Sequence, residues 1–255
     1  MRGWLALGAG ALLLAAALAI EAPATLVDGR VAELSEGRIR IAAATGSLWR
    51  GSGELAILPD VIRIPISWRL EPMALLRGGL AGSLTVADAD REGSFSVAHD
   101  DFSVHDFAIA LPAAAVLRAA GAPAPLTLAD GMLMLDLAEL ARRGDRLQAR
   151  GDLRWKDAAF AAPTTGLRVA LGDVRVTANA SGSEIPATLS SNGGEIEVSG
   201  KLAFSSDGAV RIDARIKPRE GLSGERKQAI DSLLSSIGRA DGTGGYLVVW
   251  PPGIG

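Results

Sequence analysis

The 255-residue sequence contains no cysteine, only two histidines and few aromatic residues. The lack of cysteine excludes disulfide bonds, thiolate metal ligands and a cysteine nucleophile. The sequence also lacks an excess of basic residues. Its formal net charge is −3, which argues against a nucleic-acid partner. Aromatic residues make up 4% of the chain and hydrophobic residues 48%, so the apolar content is mainly aliphatic and suits flat sheet faces.

One long uncharged run is present, from Gly3 to Ile20. As a helix it would span roughly 27 Å, close to the hydrocarbon thickness of a bilayer. Arg2 precedes the run, and Glu21 and Asp28 follow it, which favours an N-terminus in the cytoplasm and the remainder outside. These features predict an N-terminal membrane anchor over residues 1–21.

A cleaved signal peptide is the alternative interpretation of the same segment. Ala22-Pro23-Ala24 supplies small residues where a signal peptidase cuts. In both interpretations the rest of the chain leaves the cytoplasm.

From about residue 36 the hydrophobic pattern has a period of two. In residues 146–156 apolar side chains alternate with charged ones, and residues 194–204 and 209–217 repeat this alternation. A strand places such residues on opposite faces. One apolar face and one solvent-exposed face are typical of antiparallel sheets. Turn signals such as Asn192-Gly193 and Asp207-Gly208 recur every ~10 residues and predict a meander.

Two short helices interrupt the strand pattern. One is predicted over residues 112–123, and a second over 223–242, where Ser223 can cap the start and Gly238 can end the helix. Residues 137–144 are compatible with either a strand end or a helical turn.

Together these patterns predict a mainly β protein with three parts. They are the anchor over 1–21, a curved, meander-like antiparallel β-sheet domain over 22–218, and a C-terminal helix with a terminal strand over 219–255. Two helices cannot cover the apolar face of so many strands. We therefore expect the sheet to curl, to form a groove or to bind a partner.

The stretch GSLWRGSGEL, residues 46–55, surrounds a tryptophan with glycine and serine. It predicts a strand, a turn and a second strand, with Trp49 at the sheet corner, covering the end of the core with its N–H hydrogen-bonded. The first strand is predicted to place four residues on one face: Ile39, Ile41, Ala43 and Thr45.

The order of these features resembles the type II secretion system protein N family. The matching segments are ATGSLWRGSGEL (44–55), IPISWRLEPMALLRGGLAGSL (64–84), LTLADGMLMLDL (126–137), ARGDLRWKDAAF (149–160) and residues 189–218. The resemblance implies an inner-membrane protein with its bulk in the periplasm, working among other secretion proteins. It also implies a non-enzymatic accessory role, and it transfers no catalytic, cofactor-binding or metal-binding residue. We expect the family-like motif residues to be structural: Gly46, Trp49, Gly51, Trp68, Gly131, Gly151 and Trp155.

Two alternatives compete with an accessory role in secretion. A curled sheet with an apolar concave face would resemble AsmA-like periplasmic lipid-binding or lipid-transfer proteins. An enzyme or metal site would have to use the segment that holds both histidines: His99, Asp100, Asp101, His105 and Asp106. Asp100-Asp101 is better interpreted as a hairpin turn between two strands.

A pair of acidic residues, Glu195 and Glu197, is also conspicuous. Because the alternation places them on the wet face of a strand, we expect cross-strand ion pairs with nearby basic residues: Lys201, Arg211 and Arg215.

Overall fold

A computed structural model describes residues 22–37, 39–57, 62–87, 91–99, 101–119, 129–161, 167–206 and 209–250. The predicted anchor over residues 1–21 lies outside this described part of the chain. Within the described part, no helix has the length and apolar character needed to cross a membrane.

The chain forms two compact units, one ending at His99 and one beginning at Asp100. In the first unit each strand pairs antiparallel with the next along the chain. Its elements are α1 (Thr25–Leu34), β1 (Ile39–Gly46), β2 (Arg50–Ile57), β3 (Ile62–Leu70), α2 (Pro72–Leu76), β4 (Gly79–Val86) and β5 (Glu92–Ala98).

The second unit is also an antiparallel meander, and its strands follow chain order until the last two, where β14 lies between β12 and β13. Its elements are β6 (Asp101–Pro112), α3 (Ala113–Ala119), β7 (Ala129–Arg143), β8 (Arg146–Ala161), β9 (Arg168–Gly182), β10 (Glu184–Asn192), β11 (Ile196–Ser205), β12 (Val210–Pro218), α4 (Gly224–Ile237), β13 (Arg239–Ala240) and β14 (Tyr246–Trp250). The predicted mainly β, antiparallel fold is therefore confirmed.

The period of two in the sequence becomes alternation of burial along the strands. In β3, Ile64, Ile66 and Trp68 are buried, whereas Arg63 and Arg69 are exposed. Successive side chains of a strand point to opposite faces, so one face of β3 packs inward and the other contacts solvent.

The main buried cluster of the second unit forms where α4 lies on the sheet. Ile230 and Leu234 of α4 are fully buried against Val169 of β9 and Ile196 of β11. Each such side chain contributes roughly 1.5–3 kcal/mol by leaving water. This burial fixes α4 on one face of the sheet.

The described residues contain four helices, so the prediction of only two was wrong. The two that were missed, α1 and α2, have weak signals. The first contains Gly29 and little periodic apolar content, and the second is a five-residue turn that begins at Pro72.

The two predicted helices are present with shorter bounds. The helix predicted over 112–123 is described over Ala113–Ala119, and residues 120–128 lie outside the described part. The helix predicted over 223–242 ends at Ile237. Ser223 accepts the predicted capping hydrogen bond, and Gly238 is extended and leads into a short strand. Residues 137–143 belong to β7, which settles that ambiguity in favour of a strand.

The predicted face of β1 is only partly correct. Ile41 is buried, but Ala43 and Thr45 are exposed. The pairing of β1 with β2 shifts register between Ala42 and Thr45, and Ala43 has a φ of 50°. This irregularity turns the later residues of β1 away from the face that carries Ile41.

Candidate functional site

The β1–β2 turn is a tight bend built from residues 46–51. The backbone N–H of Ser47 donates to the carbonyl of Arg50 at 2.9 Å, and the N–H of Arg50 donates to Oγ of Ser47 at 3.2 Å. Gly46 has a φ of 90° and lies opposite Gly51 across the hairpin. A Cβ at Gly46 would stand 2.6 Å from the Arg50 carbonyl oxygen, so both its backbone angle and its surroundings require glycine.

Trp68, rather than Trp49, is the buried tryptophan of the first unit. It is 6% exposed, and its Nε1–H donates to the carbonyl of Leu48 in the turn at 3.0 Å. Its ring lies over Gly51, the cross-strand partner, where a Cβ would stand 2.8 Å from the ring atom Cε2. Trp49, which we predicted at the sheet corner, lies in the turn itself and is half-buried. The missed signal is the Gly51–Trp68 pairing, which becomes visible only once the register is known.

The chain that follows the predicted anchor is fixed to this turn. The carbonyl of Ala22 accepts a hydrogen bond from the N–H of Leu48 at 2.7 Å, and Ala24 donates to the carbonyl of Gly46 at 3.3 Å. Pro23, between them, forms an isolated antiparallel bridge to the same turn. Ala24 is buried, so the first described residues are packed against the end of the sheet.

Helix α1 is joined to β1 through one carboxylate. Asp28 accepts two hydrogen bonds from the guanidinium of Arg40, at 2.7 and 3.0 Å, and one from the N–H of Ile41 at 2.7 Å. The hydrogen bonds from Arg40 hold the pKa of Asp28 below its ordinary value, although partial desolvation opposes them.

A second tryptophan occupies a comparable position in the second unit. Nε1–H of Trp155 donates to the carbonyl of Asp130 at 2.7 Å. The next residue, Gly131, has a φ of 95°, and a Cβ there would stand 2.7 Å from the carbonyl oxygen of Asp157. Gly151 in β8 is also close to its neighbour, because a Cβ there would lie 2.7 Å from a carbonyl oxygen of β7. These three motif residues occupy strand positions with backbone or packing roles.

The segment that holds both histidines runs from the end of β5 into β6. His99 is exposed directly after β5, and His105 lies within β6. The carboxylate of Asp101 accepts a hydrogen bond from the backbone N–H of Gly144 and so ties β6 to the β7–β8 turn. Asp100 lies outside the described residues. In the described part of the chain, no three His, Asp or Glu side chains converge to hold a metal ion.

Glu195 does not form the predicted cross-strand ion pair. It lies in the turn before β11, where its carboxylate accepts hydrogen bonds from Nε and Nη2 of Arg226 on α4 at 2.6 and 2.7 Å. It also accepts from the backbone N–H of Ala170 at 3.0 Å. The hydrogen bonds from Arg226 hold the pKa of Glu195 below its ordinary value, against a smaller desolvation effect. The turn lets Glu195 reach a helix that a residue on the wet face of a strand could not.

Two of the basic residues expected to pair with Glu195 and Glu197, Arg211 and Arg215, form ion pairs with other acidic residues. Arg211 pairs with Glu184 of β10 at 3.0 Å, and Arg215 pairs with Asp241 at 2.6 Å. Asp241 accepts further hydrogen bonds from backbone N–H groups of the loop before β14, including that of Thr243 at 2.8 Å. These bonds, that of Thr243 foremost, lower the pKa of Asp241 to about 2. The loop that positions β14 is therefore ordered by one ionised carboxylate.

Strand β14 presents a partly open side. It pairs with β12 along its whole length, whereas β13 pairs with it only at Tyr246 and Leu247. Among the described residues, no strand pairs with the outer side of β14 from Val248 to Trp250, which we call the terminal edge. Leu247 is exposed and Val249 is 51% exposed, on the same face as charged residues of β12.

One face of β6–β8 carries aligned apolar side chains that are only half-buried. One cross-strand row joins Ile109, Leu135 and Leu153, and the next joins Leu111, Leu133 and Trp155. Such rows leave part of an apolar surface open to solvent or to a ligand.

The described elements define a mainly β protein of antiparallel strands. A family model described as "Type II secretion system (T2SS), protein N" matches residues 37–249. The chain therefore belongs to this family of secretion components, which act in the bacterial envelope. The match reaches beyond residue 218, where the motifs behind the resemblance end, and so includes α4 and most of β14. Neither a curated protein nor a solved structure was found to match the chain.

Proposed function

We propose that the chain is a non-enzymatic accessory component of type II secretion that binds other secretion proteins. The family match over residues 37–249 is the observation that carries this proposal. In the proposed arrangement, residues 1–21 anchor the chain in the inner membrane with a cytoplasmic N-terminus. The β units then lie in the periplasm. The uncharged run from Gly3 to Ile20 supports this topology.

We propose the terminal edge of β14 as the partner-binding surface. A strand with an unpaired outer side can accept a strand of another protein, whose backbone supplies the hydrogen bonds and whose side chains fill adjacent sites. Val249 in this edge and Leu247 just before it are exposed, and they offer apolar contacts on a face that is otherwise charged. The Asp241 loop fixes the strand before any partner arrives, which lowers the ordering cost of binding.

Site-specific photo-crosslinking in the native strain tests this proposal. A photoreactive residue replaces Leu247, the exposed residue directly before the terminal edge, in the full chain. Crosslinked products are identified by mass spectrometry. We expect a product with another inner-membrane or periplasmic secretion protein, and we expect Val249→Lys to reduce its yield several-fold, because an edge lysine opposes strand addition.

The matched control carries the photoreactive residue at Val97, an exposed aliphatic residue of β5. Equal yields of the same product from both positions would show that the contact is not specific to the edge. Products only with a second copy of this chain, or with no secretion protein, would contradict the proposal.

Lipid binding is a second candidate, favoured by the half-buried apolar rows on β6–β8. The same method separates it from partner binding, with the photoreactive residue at Leu135. A mass increase equal to a phospholipid supports an AsmA-like lipid-binding role, and its absence in membrane-embedded protein counts against that role.

A further inference from the structure

Helix α2 lies at the same end of the first unit as the β1–β2 turn. The N–H of Leu70, just before α2, donates to the carbonyl of Trp49 in the turn at 2.7 Å. The N–H of Glu71 donates to the carbonyl of Ala81 in β4 at 2.8 Å. The turn, α2 and the first described residues after the apolar run therefore form one end of the unit.

This end carries exposed apolar side chains, which we call the anchor-end patch: Leu26, Met73, Leu75 and Leu76. Leu76 is 79% exposed and Met73 is 60% exposed, and α2 buries none of its residues. A helix of five residues is not stable by itself and ordinarily depends on an apolar face packed against something else. An apolar phase outside the described chain would supply that packing.

Three arginines lie at the same end of the unit as the patch. Arg50 and Arg69 lie directly opposite each other on β2 and β3, and Arg77 follows α2; all three are exposed. Like charges directly opposite each other on a sheet are destabilising. Within the described part of the chain, no carboxylate forms an ion pair with any of the three, and Glu71 is the one acidic residue between positions 69 and 77. The cations therefore favour an anionic partner.

The short distance between this end of the unit and the uncharged run identifies that partner. Ala22 is hydrogen-bonded to Leu48 in the turn, and the uncharged run ends at Ile20, two residues earlier. Two residues reach at most ~7 Å, so an anchor that ends at Ile20 brings this end of the unit to the membrane surface. The bilayer then offers an apolar interior for the leucines and anionic headgroups for the arginines.

We propose that the anchor-end patch and its arginines dock on the anionic lipid surface of the membrane that holds the N-terminal segment. This inference rests on the proposed anchor over residues 1–21. The anchor tethers the first unit to the membrane, and the docking also fixes the orientation of the unit relative to the membrane.

The absence of cysteine makes the test direct, because one introduced cysteine is the only labelling site. Leu76→Cys carries an environment-sensitive fluorophore in the full chain, reconstituted in vesicles of phosphatidylethanolamine and phosphatidylglycerol. The control label is at Glu92→Cys. Glu92 is exposed and lies at the start of β5, whereas the end of β5 pairs with the start of β4, which follows α2. We expect the label at position 76 to be quenched several-fold less by an aqueous quencher than the label at position 92. We also expect Arg50→Gln with Arg69→Gln to reduce this protection.

The outcomes separate the inference from the anchor itself. If the chain does not float with vesicles, the anchor proposal fails and this inference fails with it. If the chain floats but both labels are equally quenched, the anchor stands and the docking is refuted. Protection that grows with protein concentration would assign the patch to contact with a second copy, which also overturns the inference.

Discussion

At the scale of single residues, Gly51 and Trp68 pack against each other across β2 and β3. The ring of Trp68 occupies the space that a side chain at Gly51 would need, and its N–H satisfies the carbonyl of Leu48 in the turn. A buried indole needs such an acceptor. This pairing explains why the turn sequence combines a flexible backbone with large side chains nearby.

Gly51→Ala tests the pairing. The new methyl group would overlap the ring of Trp68 and approach the carbonyl oxygen of Thr45 at 2.7 Å, so we expect a loss of about 1–3 kcal/mol in the free energy of unfolding. Urea denaturation of the full chain in detergent, followed by tryptophan fluorescence, measures the change.

Gly29→Ala is the matched control for this change. Gly29 lies in α1 with nothing within 4 Å of its added Cβ, so alanine should stabilise the protein by about 0.5–1 kcal/mol. If both substitutions have the same sign, packing against Trp68 is not what requires glycine at position 51.

The sequence located the glycine-rich turn but did not identify its buried tryptophan. Turn residues are a local signal, whereas the contact between Gly51 and Trp68 joins residues 17 positions apart through strand register. The exposure of Ala43 was missed for a related reason, since one irregularity in β1 reverses every later side chain.

At the scale of elements, helix α4 is held on the sheet by burial and by one ion pair. Ile230 and Leu234 supply the apolar contacts, and Arg226 donates two hydrogen bonds to the carboxylate of Glu195. The helix and its Ser223 cap could be predicted because both signals are local. The ion pair could not, because it joins residues 31 positions apart.

Glu195→Gln tests the ion pair and its pH dependence. We expect a loss of about 1–2 kcal/mol in the free energy of unfolding at pH 7, because a charged acceptor and its bidentate geometry are lost. The folded-state pKa of Glu195 lies below its ordinary value of 4.5, so its stabilising contribution is complete above that value and is lost as the pH falls. The difference between the two proteins should therefore shrink between pH 7 and pH 3.

Glu197→Gln is the control, because Glu197 is an exposed residue of β11. We expect a change within about 0.5 kcal/mol for it at both pH values. A deficit for Glu195→Gln that stays constant down to pH 3 would show that the carboxylate charge is not responsible.

At the scale of the whole molecule, alternation of apolar and charged residues was sufficient to predict the antiparallel strands. Residues 146–156 and 194–204 gave this signal, and β8 and β11 form there. The missed helices α1 and α2 have weak signals in their own sequences. Helix α1 is joined to β1 through Asp28, which accepts hydrogen bonds from Arg40 and from the N–H of Ile41, and α2 is a five-residue turn whose large apolar side chains are exposed. Neither the partly open side of β14 nor the anchor-end patch follows from periodicity, because both are defined by which neighbours are present.

Membership of the type II secretion family places the molecule in the bacterial envelope, and the central proposal is that it has a role in secretion. The direct measurement is the fraction of type II substrates in the medium of a deletion strain that carries the wild-type chain, Val249→Lys or an empty vector. We predict normal secretion with the wild-type chain, a several-fold fall with Val249→Lys at equal protein level, and the lowest secretion with the empty vector. Equal secretion in all three strains would contradict the proposed role.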